Sequence, residues 1–322
     1  MPEKIIMYEL SLIDTHCDTA SELYHRGQSL FENDCHVSLK KAEKYTNYAH
    51  FFAVWANKRR SDDECYGDFL KIAENLSSLL QKEDERAAQV RNYSELTEAW
   101  NTGKRAIFLA VEDARILSGD LSRLDTLKEL GVTYLTLLWG GPTCIGASHD
   151  TEGGLTDFGR AVTARCFELG IIPDVSHANE RVTDEVCEMA RSFGKPFMAS
   201  HSNCFEVYPH TRNLRKQHLQ ALIELGGSVG LNLCPWHLGN ASDRKITISD
   251  VMRHIEGFLA LGAEKNLGLG CDLDGTDLPQ GFSGISDLSL IAEEMAKRNY
   301  SDDLIEDIFF RNNLKFIQRS LR

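Results

Sequence analysis

Short β-prone runs alternate with helical patterns along most of this chain, and that recurrence constrains its fold more than any other feature. The runs are Leu10–Asp14, Phe51–Ala56, Ala106–Val111, Thr133–Leu138, Ile171–Val175, Pro196–Ser200, Ser228–Leu233 and Asn266–Gly270. Helical spacing of apolar residues fills Leu121–Leu130, Thr156–Leu169, Asn179–Phe193, Arg215–Leu225 and Ile248–Leu261, and each stops at a glycine. A glycine there suits the left-handed residue that closes a helix. Strands separated by helices pair in parallel, and eight of them close a barrel. The predicted fold class is therefore α/β, a single (β/α)8 TIM-type barrel occupying 1–322. No Pro-, Gly- or Ser-rich linker and no repeat of 20–50 residues divides it.

Two departures from a minimal barrel are expected. The stretch Asn57–Gly103 exceeds what a crossover needs, so it reads as an elaborated connection between the second and third strands, with a helix at Asp62–Gln81. Past the eighth strand, Ser286–Arg298 and Ser301–Leu321 read as two helices, the second with Ser301 as N-cap. They are expected to pack on the barrel or on the partner subunit of a homodimer.

The charge balance excludes some functions. With 48 acidic and 35 basic residues the net charge is −13, which repels nucleic acid and anionic lipid. No run of about 18 apolar residues predicts a membrane span. The start, Met1-Pro2-Glu3-Lys4, lacks the pattern of a signal peptide. Nine scattered cysteines without a CxxC pair argue for reduced thiols, and so for a cytoplasmic protein.

Chemistry enters where the strands end. The first run leads into Asp14-Thr15-His16-Cys17-Asp18, the third into Glu112-Asp113, the fifth into Ser176-His177, the sixth into Ser200-His201 and the eighth into Asp272-Leu273-Asp274. The C-terminal strand ends of a barrel converge on one mouth. Imidazoles and carboxylates gathered there suit Zn²⁺, and less well Mn²⁺, Fe²⁺ or Co²⁺. His16 and Asp18, two apart on an extended segment, can hold one ion, and His177 and His201 complete a second. Glu112 can bridge two ions about 3.5–4 Å apart, and a water held between them becomes a nucleophile near neutral pH. Cys17 and Cys271 are expected to point into the barrel wall as small buried apolar residues. Asp14, Asp113 and Asp274 are candidates to orient ligand imidazoles.

The motifs IDTHCDT (13–19), VEDA (111–114), LGVTYLTLLW (130–139), GLTDFGRAV (154–162), GIIPDVSHAN (170–179), ASHSN (199–203), HTRNL (210–214) and GLGCDLDG (268–275) run in one order. In that order the chain resembles the membrane dipeptidase family of dinuclear zinc peptidases, within the amidohydrolase-like superfamily, over essentially its whole length. The resemblance implies two Zn²⁺ held by His16, Asp18, Glu112, His177 and His201, with Asp272 shuttling a proton and Arg212 gripping the substrate's terminal carboxylate. It implies hydrolysis of dipeptides, including those with a C-terminal D-residue. Many family members carry a substrate-binding histidine where Trp139 stands, so Trp139 is expected to line the pocket through its indole. His149, further along that loop, is expected to be solvent-exposed. Two rival functions are a barrel amidohydrolase acting on N-acyl amino acids, cyclic amides, lactones or phosphoesters, and a non-catalytic metal-binding barrel. The family-type His-x-Asp opening and the glutamate bridge weigh against the first, and the complete ligand set against the second.

Overall fold

A computed structural model describes residues 10–322; the expectation about Met1 to Lys4 falls outside them. Nine strands occur among the described residues: β1 (Leu12–Cys17), β2 (Tyr48–Trp55), β3 (Ala87–Gln89), β4 (Arg105–Glu112), β5 (Val132–Thr136), β6 (Ile172–Asp174), β7 (Met198–Ala199), β8 (Ser228–Leu231) and β9 (Leu267–Leu269). All pairings between them are parallel. The β2–β4 pairing, Ala49↔Ala106 to Trp55↔Glu112, closes the ring. The eight predicted strands thus form a closed parallel barrel with helices between them. The unforeseen ninth, β3, arises in the Asn57–Gly103 insertion and pairs only with the start of β4, before β5 joins at Leu109.

Alternation along each strand splits the apolar residues between two cores. On β4, Ala106, Phe108 and Ala110 face the barrel interior, while Ile107, Leu109 and Val111 face the surrounding helices. Burial on both faces is why these strands read as continuous apolar runs. Phe51 and Phe108 stack inside with ring centroids 4.3 Å apart. The interior is so narrow that a Cβ on Gly270 would sit 1.8 Å from the Ser200 carbonyl oxygen and 2.6 Å from Thr15 Oγ1. Glycine is therefore required where Thr15 crosses the barrel.

The helices largely keep their predicted bounds. Thr156 and Asn179 cap Asp157–Leu169 and Glu180–Phe193 with side-chain acceptors. Ser61 and Glu64 form a capping box at the start of Asp62–Lys82. The expected Ser301–Leu321 helix is instead broken into Asp302–Glu306, a wide π turn at Asp307–Arg311, and Asn312–Ser320. The wide turn rephases the helix. Phe309 then packs among the outer helices, while Phe310, Phe316 and Ile317 close the N-terminal end of the barrel against Ile13 and Phe51. Asn313 fastens this plug, donating to Ile13 O at 2.9 Å and accepting from Ser228 Oγ at 2.8 Å. The terminal helix thus packs on the barrel itself.

Candidate metal centre

The five predicted ligands meet at the C-terminal mouth. Glu112 continues the inward parity of Ala106, Phe108 and Ala110. His16 faces inward because the β1 register shifts between Asp14 and Cys17, which reverses the alternation there. Cys17 consequently turns outward into the outer core, where Cys271 also lies, as expected. His177 (φ 69°) and Asp272 (φ 60°) follow their strands in left-handed conformations that non-glycine residues seldom adopt. Such strain persists where the surroundings enforce it, commonly at functional sites.

Glu112 stands at the centre. Its Oε2 lies 3.5 Å from His16 Nε2, while its Oε1 lies 2.9 Å from His177 Nε2 and 3.2 Å from His201 Nε2. Each carboxylate oxygen therefore serves a different side of the site. His16 Nε2 is also 3.6 Å from Asp18 Oδ2 and 3.9 Å from Asp272 Oδ1.

The far ring nitrogens are already engaged. His177 Nδ1 donates to Trp139 O at 3.0 Å. Ser200 Oγ donates to Asp174 Oδ2 at 2.6 Å, so it accepts from His201 Nδ1 at 2.7 Å. Tyr134 OH holds His16 Nδ1 at 2.7 Å. These bonds aim the Nε2 lone pairs inward. His177 Nε2 and His201 Nε2 are only 2.9 Å apart, an arrangement that repels unless a cation lies between them and the carboxylate. Burial, reinforced by Arg212, holds His177 down at about 3. Burial and His16 hold His201 well below the usual histidine range. Both rings are thus neutral, the form that binds metal. Burial would raise Glu112, but the three facing histidines, His16 foremost, hold it well below the carboxylate range. His16 Nε2 and Asp18 Oδ1 are buried without hydrogen-bond partners. Neutral imidazoles, an ionised central carboxylate and orphaned donor atoms fit a divalent-metal site.

A cavity of about 740 Å³ opens over these residues and is lined by Trp55, Trp139, His149, Arg212, His237 and Asp272, among others. Asp272 Oδ2 accepts from Asn232 Nδ2 at 3.1 Å. Burial, with smaller contributions from Asp18 and Glu112, pushes the Asp272 carboxyl up to about 7 against the pull of His16 and Arg212. Arg212 is 4% exposed; its Nη2 reaches His201 O at 3.4 Å and its Nε has no partner. Trp139 lines the cavity with its ring edge-on to Trp55 at 5.1 Å, and Lys58 Nζ lies 5.0 Å from the ring centroid.

The model of the membrane dipeptidase family, peptidase family M19, matches residues 2–320. The chain belongs to this family. An uncharacterised dipeptidase of Schizosaccharomyces pombe is 30% identical over 225 residues, 67% of this chain and 53% of that protein. The Aspergillus oryzae dipeptidase AclJ is 31% identical over 212 residues, 63% of this chain and 49% of that protein. The chain thus spans about half the length of these two curated relatives. Among solved structures, the family M19 metallopeptidase dipeptidase AC superposes with TM-score 0.90 at 25% identity, covering 98% of this chain and 99% of the other. A Rhodobacter sphaeroides metallopeptidase, liganded with a phosphinate mimic of the dipeptide L-Ala-D-Ala, superposes with TM-score 0.89 at 24% identity, covering 97% and 99%.

None of Asp14, Asp113 and Asp274 orients a ligand imidazole. Asp14 accepts from the backbone N–H groups of His16 and Cys271 and lies 3.4 Å from His50 Nε2. Asp113 accepts from Trp139 N, and Asp274 from Thr19 Oγ1 and His36 N. All three tie backbone at the mouth. The ring-orienting groups are Tyr134, Trp139 O and the Asp174–Ser200 relay. A polar Asp174 ending an otherwise apolar strand was the available signal for that relay. His149 is half-buried rather than solvent-exposed, because its N–H donates to His177 O at 2.7 Å and draws the loop over the cavity.

Proposed function

We propose that this chain is a metal-dependent dipeptidase, hydrolysing the amide bond of dipeptides, including ones with a C-terminal D-residue, with two Zn²⁺ ions as cofactors. The division of Glu112's two oxygens between His16 on one side and His177 with His201 on the other carries this reading. His16 and Asp18 would hold one ion and His177 and His201 the other, with Glu112 shared. Such a pair supplies Lewis acidity and a bound water acidified to near neutrality.

The remaining work falls to the chain. Arg212, desolvated and with Nε unspent, receives the substrate's terminal carboxylate as a planar fork. Asp272, steadied through Oδ2 by Asn232, takes the attacking water's proton on Oδ1 and returns it to the leaving amine. Trp139 and Trp55 wall the cavity and keep bulk water from it. The family membership, and the dipeptide mimic bound by the Rhodobacter relative, support the substrate class. We read 1–322 as one metallohydrolase barrel domain. The cytoplasmic assignment rests on nine free cysteines; among the described residues no helix is long and apolar enough to cross a membrane.

Metal analysis with a dipeptide assay, run with and without chelator beside N-acyl amino acids and lactones, tests the reading. Asp272→Asn is expected to keep both metals while kcat falls on the order of 10²–10⁴-fold. Near-wild-type turnover would rule Asp272 out as the shuttle, and hydrolysis of lactones alone would rule out the dipeptidase.

A further inference from the structure

The opposite end of the barrel carries a second concavity, of about 390 Å³. It is bounded by the turns entering β6 and β7 and by the end of the Asn312–Ser320 helix. Arg91, Lys128, Lys195, Arg319 and Arg322 line it, and no aspartate or glutamate side chain does. In a chain of net charge −13 this is an anomaly. Arginines elsewhere on the surface, such as Arg165, Arg191, Arg298 and Arg311, pair with carboxylates. Among the described residues, none of the five pocket cations forms such a pair.

Helix capping accounts for part of this arrangement. Lys128 Nζ donates to Gly170 O at 3.5 Å and Lys195 Nζ to Phe167 O, and cations at helix C-termini are favourable. Each bond uses one of an ammonium's three protons. Capping leaves the guanidiniums unexplained. Arg319 spends only Nε, on Lys315 O at 3.2 Å. Arg91 makes no side-chain hydrogen bond among the described residues. Like charges gathered around one small cavity repel, and salt screens them fully only beyond about 8 Å. A multivalent anion would remove that repulsion and take up the unspent N–H groups.

We propose that this pocket is an oxyanion site for a phosphate group, borne by inorganic phosphate or by a small phosphate monoester. Guanidinium forks match phosphate oxygens bidentately, and a dianion balances several cations at once. The site lies beyond the plug from the metal centre, so its ligand does not compete with a dipeptide.

The test is calorimetric titration of the metal-loaded protein with inorganic phosphate and, separately, AMP, at ionic strength fixed with NaCl. We expect one phosphate-class ligand per chain, with tighter binding of one probe telling free anion from ester. Replacing Arg91→Gln and Arg319→Gln together should weaken it roughly tenfold or more, about 1.4 kcal/mol. Arg212→Met, at the other mouth, should leave the affinity within about twofold. All five pocket cations are exposed, so their substitution should spare the fold. If the arginine pair proves unstable, Lys128→Gln with Lys195→Gln carries the same test. Absence of binding by both probes, equal affinity in the pocket variants, or loss in Arg212→Met would overturn the proposal.

Discussion

The two ends of this barrel are built from the same strands, yet they are finished by opposite physics. At the N-terminal end Phe310, Phe316 and Ile317 continue the apolar interior, and Asn313 satisfies both faces of its amide on strand carbonyl and serine hydroxyl. At the C-terminal end three imidazoles converge on one carboxylate, His177, Asp272 and Asp274 sit at positive φ, and charged atoms are buried without partners. The apolar plug lowers the free energy of the chain by itself. The other end gathers donor atoms for metal that the chain does not itself supply. The contrast shows where stability and chemistry are separately stored, and it can be broken experimentally.

The largest expected effect is at the mouth. Glu112→Gln removes the shared negative charge, so kcat/KM should drop on the order of a thousandfold or more, with metal content falling below two per chain. Elemental analysis beside a dipeptide assay checks this, and full retention of both metals would refute the central role of Glu112.

At the plug the sign of the comparison reverses. Phe316→Ala should cost about 3–5 kcal/mol of stability, while activity per folded molecule stays within about twofold. Denaturant melts paired with active-site titration would show it, and a stable but inactive variant would mean the ends are coupled.

A smaller effect separates ring orientation from ligation. Asp174→Asn weakens the acceptor behind Ser200 and His201, so metal affinity should fall about 10–100-fold, with the ligands themselves intact. Competition with a chromogenic chelator reads this directly; unchanged affinity would demote the relay to packing.

The smallest concerns acid. His254 accepts from Cys204 N–H at 3.0 Å and donates to Leu238 O at 3.1 Å, and burial lowers it from 6.5 to about 4. Its folded pKa lies below the unfolded one, so the unfolded chain binds the proton first. Stability is unaffected above about pH 6.5 and declines towards pH 4, by up to about 1.4 kcal/mol per pH unit. His254→Gln should flatten that limb in melts across pH; an unaltered slope would assign acid sensitivity elsewhere.

The barrel was legible because each strand's residues are apolar on both faces and each helix is punctuated by a glycine, signals that lie within a few residues of one another. The candidate ligand residues were legible as polar interruptions at strand ends. What escaped were pairings between distant segments. Tyr134 behind His16 looked like core, and it is core, with one hydroxyl turned to use. The break at Asp307–Arg311 was hidden because an unbroken helix satisfies the same local pattern.

By itself, then, the sequence determined the number of barrel strands, the order of the helices and the residue types gathered at the mouth. Those follow from periodicity and strand parity, which are properties of neighbours along the chain. Only the tertiary structure decided that the β1 bulge turns His16 inward, which oxygen of Glu112 serves which histidine, and that His149 folds over the cavity. The reason is geometric: a shift of one residue in register reverses the face of every side chain beyond it, and register is set by strands far away in sequence.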